Sequence, residues 1–243
     1  MTQPLPMHSA AVIALHDSLL ARSDWPHQAP AAPEGPQGDG IRRPPPEGVS
    51  QLGSGPSLTH EVELWKWAQV NHRNNCLLWA EEDLARRTRV ADAEIAANKR
   101  AIDGYNQARN DATERVDELL LIALGLVDAD AARSQAPMAR LPDGARLNSE
   151  TAGSIVDRLS ILSLKIRAMR EQTARQDVDQ GHRDASAVKL ERLDQQRADL
   201  ASCLDALLAD TASGKACFRV YRQFKMYNDP AFNPQLVKES QKH

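Results

Sequence analysis

Aromatic residues make up only 4% of this 243-residue chain, its three cysteines are widely scattered, no apolar run is long, and its charges nearly cancel. Each scarcity removes a class of protein. With 30 basic against 33 acidic side chains and a formal charge of −3, no global field would collect nucleic acid or coat an anionic membrane, so any basic site is local. Cys76, Cys203 and Cys217 are odd in number and far apart, which suits neither a disulfide framework nor a zinc knuckle. A reduced, cytoplasmic setting is expected. No apolar run approaches the roughly 20 residues that cross a bilayer. The start, Met1 to Ser9, lacks a basic n-region, so neither export nor a membrane span is expected.

Several chemical signatures are also missing. There is no GxxxxGK[ST] loop, and the lone GSG at Gly53 to Gly55 cradles no phosphate by itself. No Glu-x-x-His pair occurs, which argues against a di-iron bundle. The His16-Asp17 dipeptide lacks the other ligands of a His-Asp phosphohydrolase, and there is no GxSxG elbow. Glu114-x-x-Asp117 matches half of the carboxylate signature of all-α nucleotide pyrophosphohydrolases, but Glu81-Glu82 lies far along the chain from it. Neither a metal nor a cofactor is expected.

What is present is helix-forming. Ala, Leu, Arg, Asp and Gln dominate the long segments, and most of these favour helix. A short helix is expected from about Ser9 to Ser23, docked through Val12, Leu15, His16, Leu19 and Leu20, with residues 1–25 forming an N-terminal unit. Residues 26–56 hold eight of the 14 prolines and six of the 12 glycines, the composition of a disordered tether. From Ser57 to Ala136 there is no proline, and the pattern predicts a helical hairpin. Its arms run from about Leu58 to Arg87 and from about Ala93 to Leu126, with Asp92 as cap. A third helix is expected from about Glu150 to Gln172, capped by Asn148 or Ser149, and a fourth from near Asp184 to Gly214. The fold class is therefore all-α: an antiparallel helical bundle over 57–235, with 236–243 as a tail.

The informative positions are polar residues on stripes that should be apolar. Turning 100° per residue aligns Leu58, Trp65, His72, Cys76, Trp79 and Asp83 on the first arm. On the second arm the same count aligns Ile95, Asn98, Ile102, Asn106, Arg109, Thr113, Val116 and Leu120. Antiparallel pairing about Val90 would bring Asp83 to Asn98 and Lys99, Asn75 to Asn106, and His72 near Arg109. A buried polar group without a partner costs roughly 1–3 kcal/mol, so these interruptions form either a register-fixing ladder or the lining of a pocket. On the third helix Glu150, Asp157 and Lys165 add charge to the same question. Beyond it, Phe218, Tyr221, Phe224 and Tyr227 interleave with Arg219, Arg222 and Lys225, either docking on the bundle or forming a basic lip.

Four runs then carry a resemblance: NHRNNCLLWAEEDLARR from Asn71, ANKRAIDGYNQARNDATERVDELLL from Ala97, LNSETAGSIVDRLSILSLKI from Leu147 and YRQFKMYND from Tyr221. In order and spacing the chain resembles bacterial domain-of-unknown-function family 4254 (DUF4254), over about Ser57 to Pro234. The family is uncharacterised, so the resemblance implies no catalytic residues. Its members resemble proteins encoded beside glycosyltransferases and lipopolysaccharide-assembly genes, an association and not a mechanism. The expectation is a protein that binds or transforms a polar anionic small molecule, such as a phosphorylated sugar or sugar nucleotide, in envelope glycan assembly. The expected lining is Asn75, Asp83, Asn106, Arg109, Glu150, Lys165, Arg222 and Lys225, with His72 and Asp157 as candidate acid/base groups. The rival expectation is a non-catalytic adaptor that holds a glycosyltransferase through the C-terminal segment.

Overall fold

The structure, a computed structural model, describes residues 5–26, 56–134, 137, 143–222 and 229–240. Nearly all of the expected tether, and Lys225, fall outside those residues. The described chain is helical, as expected, with seven helices and one pair of two-residue strands. None of its helices is long and apolar enough to cross a membrane.

The helical hairpin is present. Helix α2 (Pro56–Leu84) and helix α3 (Asp92–Ala123) run antiparallel, since Asn71 bonds Thr113 at one level and Glu81 bonds Asn98 at another. Pro56 opens α2, where its missing N–H is not needed. Asp92 is the first residue of α3 and not its cap; with Glu94 it lies in the first turn, where the helix dipole favours carboxylates. Helix α5 (Ala152–Ala174) lies along both arms, helix α6 (Gln180–Ala212) returns against α5, and helix α1 (Ser9–Leu20) packs on α2, α5 and α6. The short α4 (Ala129–Ala132) follows α3, and α7 (Pro234–Ser240) ends the described chain.

Two starts differ from the sequence expectation for local reasons. Helix α5 begins after Thr151, whose hydroxyl accepts the Ser154 N–H at 3.1 Å. Asn148 does not cap it: its Oδ1 accepts from Arg146 at 2.7 Å, and its N–H bonds Cys217 O at 2.7 Å beside the parallel pair of β1 (Arg146–Leu147) and β2 (Ala216–Cys217). Helix α6 begins four residues earlier than expected because Asp179 accepts the His182 N–H at 2.7 Å. Helix α1 is tied at both ends. Asp205 takes the Ser9 N–H and hydroxyl at 2.8 and 2.6 Å, and Arg167 donates to Leu20 O at 3.1 Å, each charge facing the helix end that favours it.

The apolar core is uneven along the bundle. One cluster joins Leu64, Ala68, Val116, Leu119, Leu120, Leu121, Ile155, Leu159, Leu204, Leu208 and Phe218. A smaller one joins Leu19, Leu20, Trp25, Cys76 and Leu164. Full burial of each valine, leucine, isoleucine or phenylalanine side chain among them contributes about 1.5–3 kcal/mol. The buried polar residues His16, Asn71, His72, Asn75 and Ser160 lie between the two clusters in chain register.

Candidate functional site

This polar layer draws on four helices. Asn71, His72 and Asn75 occupy adjacent turns of α2, so two amides and an imidazole share one face. Opposite them Asp157 and Ser160 lie one turn apart on α5. Asp157 Oδ1 accepts from Asn71 Nδ2 and Asn75 Nδ2, both at 2.8 Å. Its Oδ2 has no hydrogen-bond partner among the described residues. Arg109 on α3 completes the group, with Nε 3.9 Å from the same Oδ1. That separation is too long for a hydrogen bond, and Nε is buried without one; the guanidinium's contact with Asn110 Oδ1 is a long 3.3 Å. The side chains of Arg109 and Asp157 are 26% and 16% exposed. Here the layer reaches solvent, with an arginine and a carboxylate that both retain hydrogen-bonding capacity.

Deeper in, the layer is closed. Asn75 Nδ2 donates to Ser160 Oγ at 3.0 Å, and Ser160 Oγ lies 2.8 Å from His72 Nδ1. On its other side His72 Nε2 lies 3.8 Å from Cys76 Sγ, and that sulfur accepts from Trp25 Nε1 at 3.2 Å. Burial pushes the Cys76 thiol up to about 11, so it remains a thiol and packs. His16 stacks on His72 with centroids 4.4 Å apart. Both His16 nitrogens are buried without partners, and burial first, then His72 and Arg197, keep its pKa well below the usual value.

A second buried carboxylate sets the register. Asp117 on α3 accepts the Gly153 N–H at 2.6 Å. Burial pushes Asp117 up to about 7; the Thr151 hydroxyl and the Gly153 N–H oppose that rise, while Glu114 and Glu118 add to it. Gly153 sits so close to α3 that an added Cβ would meet Thr113 O at 2.5 Å. Asp157 is one turn beyond Gly153, and Arg109 is one turn before Thr113. The close approach therefore places the Arg109–Asp157 pair.

The remaining sequence candidates separate. Asp83 is exposed, and Glu81 takes its expected place, accepting from Asn98 Nδ2 at 2.7 Å. A bundle seam follows about 3.5 residues per turn, so a straight wheel drifts about 20° per heptad; over three heptads Asp83 leaves the inward side, and Trp79 is left 37% exposed. His72 meets Ser160 and not Arg109, and Asn75 meets Asp157. Glu150 pairs with Arg158 at 2.6 Å. Lys165 is exposed, and Asn106 is half-buried with no hydrogen-bond partner among the described residues. Asn71, Thr113, Ser160 and His16 were not singled out as site residues. The Asn71/Asn75 spacing of one turn, and a serine among the apolar residues of the buried side of α5, were the signals for Asn71 and Ser160.

Arg222 is engaged elsewhere. Its guanidinium pairs with Glu114 at 3.0 Å and with Glu118, and it donates to Ala132 O at 2.9 Å and Ser134 O at 3.2 Å. It ties the chain after β2 to α3 and α4. Arg222→Gln is expected to cost about 2 kcal/mol, because two carboxylates lose their shared cation. Chemical denaturation checks this, and an unchanged midpoint would release Arg222 for another role. Among the described residues no group of three or more His, Cys, Asp or Glu is placed to hold a metal ion. Glu81 lies at the level of Asn98, about 28 Å along α3 from Asp117, so the two halves of a pyrophosphohydrolase carboxylate set stay apart.

Residues 65–220 match the family described as "Protein of unknown function (DUF4254)". No curated protein and no solved structure matches the chain. The matched span includes Asn71, His72, Asn75, Arg109, Asp157 and Ser160, whereas His16 and Trp25 precede it.

Proposed function

The chain belongs to the DUF4254 family, and from its Arg109–Asp157 pair we propose that it binds a polar anionic small molecule between α2, α3 and α5, the class of which the sequence expectation takes phosphorylated sugars and sugar nucleotides as examples. The observation that carries this reading is the pair itself: a guanidinium with donors to give beside a carboxylate whose Oδ2 has no partner among the described residues, at the solvent end of a buried polar layer. Arginine recognises an anionic group through its planar fork, and Asp157 would accept from a ligand hydroxyl. His72 is fully buried, so it positions Asp157 through Ser160 and Asn75 and does not touch the ligand. Any proton transfer to a ligand falls to Asp157. The setting in bacterial envelope polysaccharide or lipopolysaccharide assembly rests on the family resemblance alone, and the cytoplasmic one on the three scattered cysteines.

The test is a thermal-shift screen of phosphosugars and sugar nucleotides, since a ligand that binds only the folded state raises the melting temperature. Asp157→Asn keeps the side-chain volume and an acceptor for Asn71 and Asn75. It is expected to cost no more than about 1 kcal/mol of stability while abolishing the ligand-induced shift. An undiminished shift in both Asp157→Asn and Arg109→Gln would sink the reading.

A second reading, an adaptor for a glycosyltransferase, is favoured by Tyr221 and Phe232, which are 70% and 62% exposed. Two large aromatics on the surface near one end of the chain suit a protein contact. Loss of co-purification with the transferase in Tyr221→Ala, with ligand shifts intact, would favour the adaptor.

A further inference from the structure

The electrostatics of the same pair narrow the ligand, on the premise that Arg109 and Asp157 bind one. Arg109 stands beside Asp157, so the resident charges of the site sum to zero. Nearby cations are engaged: Arg222 by Glu114 and Glu118, Arg115 by Glu63 and Glu118, and Arg158 by Glu150. Lys165 lies eight residues beyond Asp157, about 12 Å along α5. At the α5 N-terminus, one turn from Asp157, the Gly153 and Ser154 N–H groups are taken by Asp117 and Thr151.

A pyrophosphate brings at least two negative charges, and protein sites meet them with several cations, a metal or a row of free amides. Here one guanidinium would face that charge next to a carboxylate fixed in place by two amides. A carboxylate brings one charge, and its two oxygens fit one guanidinium fork. Asp157 Oδ2 asks for the complementary group, a hydroxyl or ammonium hydrogen. Because Arg109 Nε and Asp157 Oδ1 are only 3.9 Å apart, the acceptor and donor of the ligand must be close neighbours on its skeleton. Asn106, one turn from Arg109 and without a hydrogen-bond partner among the described residues, supplies an amide for a further hydroxyl.

We propose that the site takes a small carboxylate bearing a hydroxyl or ammonium on the neighbouring carbon, and not a nucleoside diphosphate sugar. The probes are D-gluconate and D-glycerate as hydroxy acids, L-serine as an amino acid, and glucose 1-phosphate and uridine diphosphate glucose as phosphates. Glucose is the neutral control. Calorimetric titration of the full chain is expected to show binding by at least one carboxylate, weakened tenfold or more in Arg109→Gln and in Asp157→Asn. Arg109→Lys, which keeps the charge and loses the fork, should be intermediate, and circular dichroism confirms that each variant is folded. The hydroxy acids and serine separate the two donor types. Binding by a phosphate probe that depends on Arg109, with no response to any carboxylate, overturns this inference and leaves the proposed function standing. No binding by any probe, or binding indifferent to both substitutions, overturns both.

Discussion

Gly153→Ala is expected to cost about 3 kcal/mol or more, at the upper end for adding one methyl group to a packed interior. The new Cβ would lie 2.5 Å from Thr113 O and 2.9 Å from the Asp117 carboxyl. Thr113 O is backbone in the middle of α3, so it cannot swing aside as a side chain would. Relief requires α5 to lift from α3. Lifting breaks the bond from the Gly153 N–H to Asp117 and leaves a fully buried carboxyl without that donor. The same movement would carry Asp157 away from Arg109, so ligand binding should fall with stability. Gly104 is the internal control: it lies on the exposed side of α3 with nothing within 4 Å of an added Cβ. Gly104→Ala is expected to stabilise by about 0.5–1 kcal/mol through lower unfolded-state entropy. Urea denaturation of the two variants measures both effects. A Gly153→Ala loss below that of an ordinary surface substitution would mean that α5 does not sit at this distance from α3.

The order and type of the long helices were legible in the sequence, because a proline-free stretch with one apolar stripe per helix leaves little else for the chain to form. The resemblance carried by the runs from Asn71, Ala97 and Leu147 was legible too, and residues 65–220 match that family. The polar interruptions announced a buried polar layer but not its pairing. Periodicity says that His72 and Asn75 face inward; it does not say that their partners are Ser160 and Asp157, more than 80 positions away. His16 was read as one residue of an apolar stripe, and its stack on His72 depends on how α1 lies across α5, which one helix does not encode. The exchange of Asp83 for Glu81 came from extending a straight-helix count beyond a few turns. The close approach of α5 at Gly153 had only a glycine near a helix start to signal it, an arrangement common enough to pass unnoticed.

The two buried ionisable groups that bracket the site make opposite demands on pH, and the Asp117 demand alone is expected to change stability by about 2–4 kcal/mol between pH 4 and pH 8. Asp117 is pushed up from its usual 3.8 to about 7, so the folded state favours its protonated form. Its contribution is fully present below about pH 4 and is lost as pH rises through 7. The positive end of α5 pulls the other way, which places the loss toward the lower end of that range. His16 is held well below its usual 6.5, so the folded state favours the neutral ring. Its contribution is present above about pH 6.5 and is lost as pH falls, because protonation puts a charge against His72 in a space that holds no partner for either nitrogen. Between pH 4 and 7 the two slopes oppose, and the wild-type curve should be shallow. Asp117→Asn, which resembles the protonated carboxyl, removes the first slope. That variant should gain on wild type at pH 8, match it near pH 4, and fall more steeply on acidification. His16→Phe keeps a ring on His72 and removes the second slope, so it should become more stable as pH drops from 7 toward 5. Urea midpoints for the three proteins from pH 4.5 to 8.5 decide it. Parallel curves would mean that neither group changes its protonation preference on folding, and that the layer beneath Arg109 and Asp157 is wetter than its packing implies.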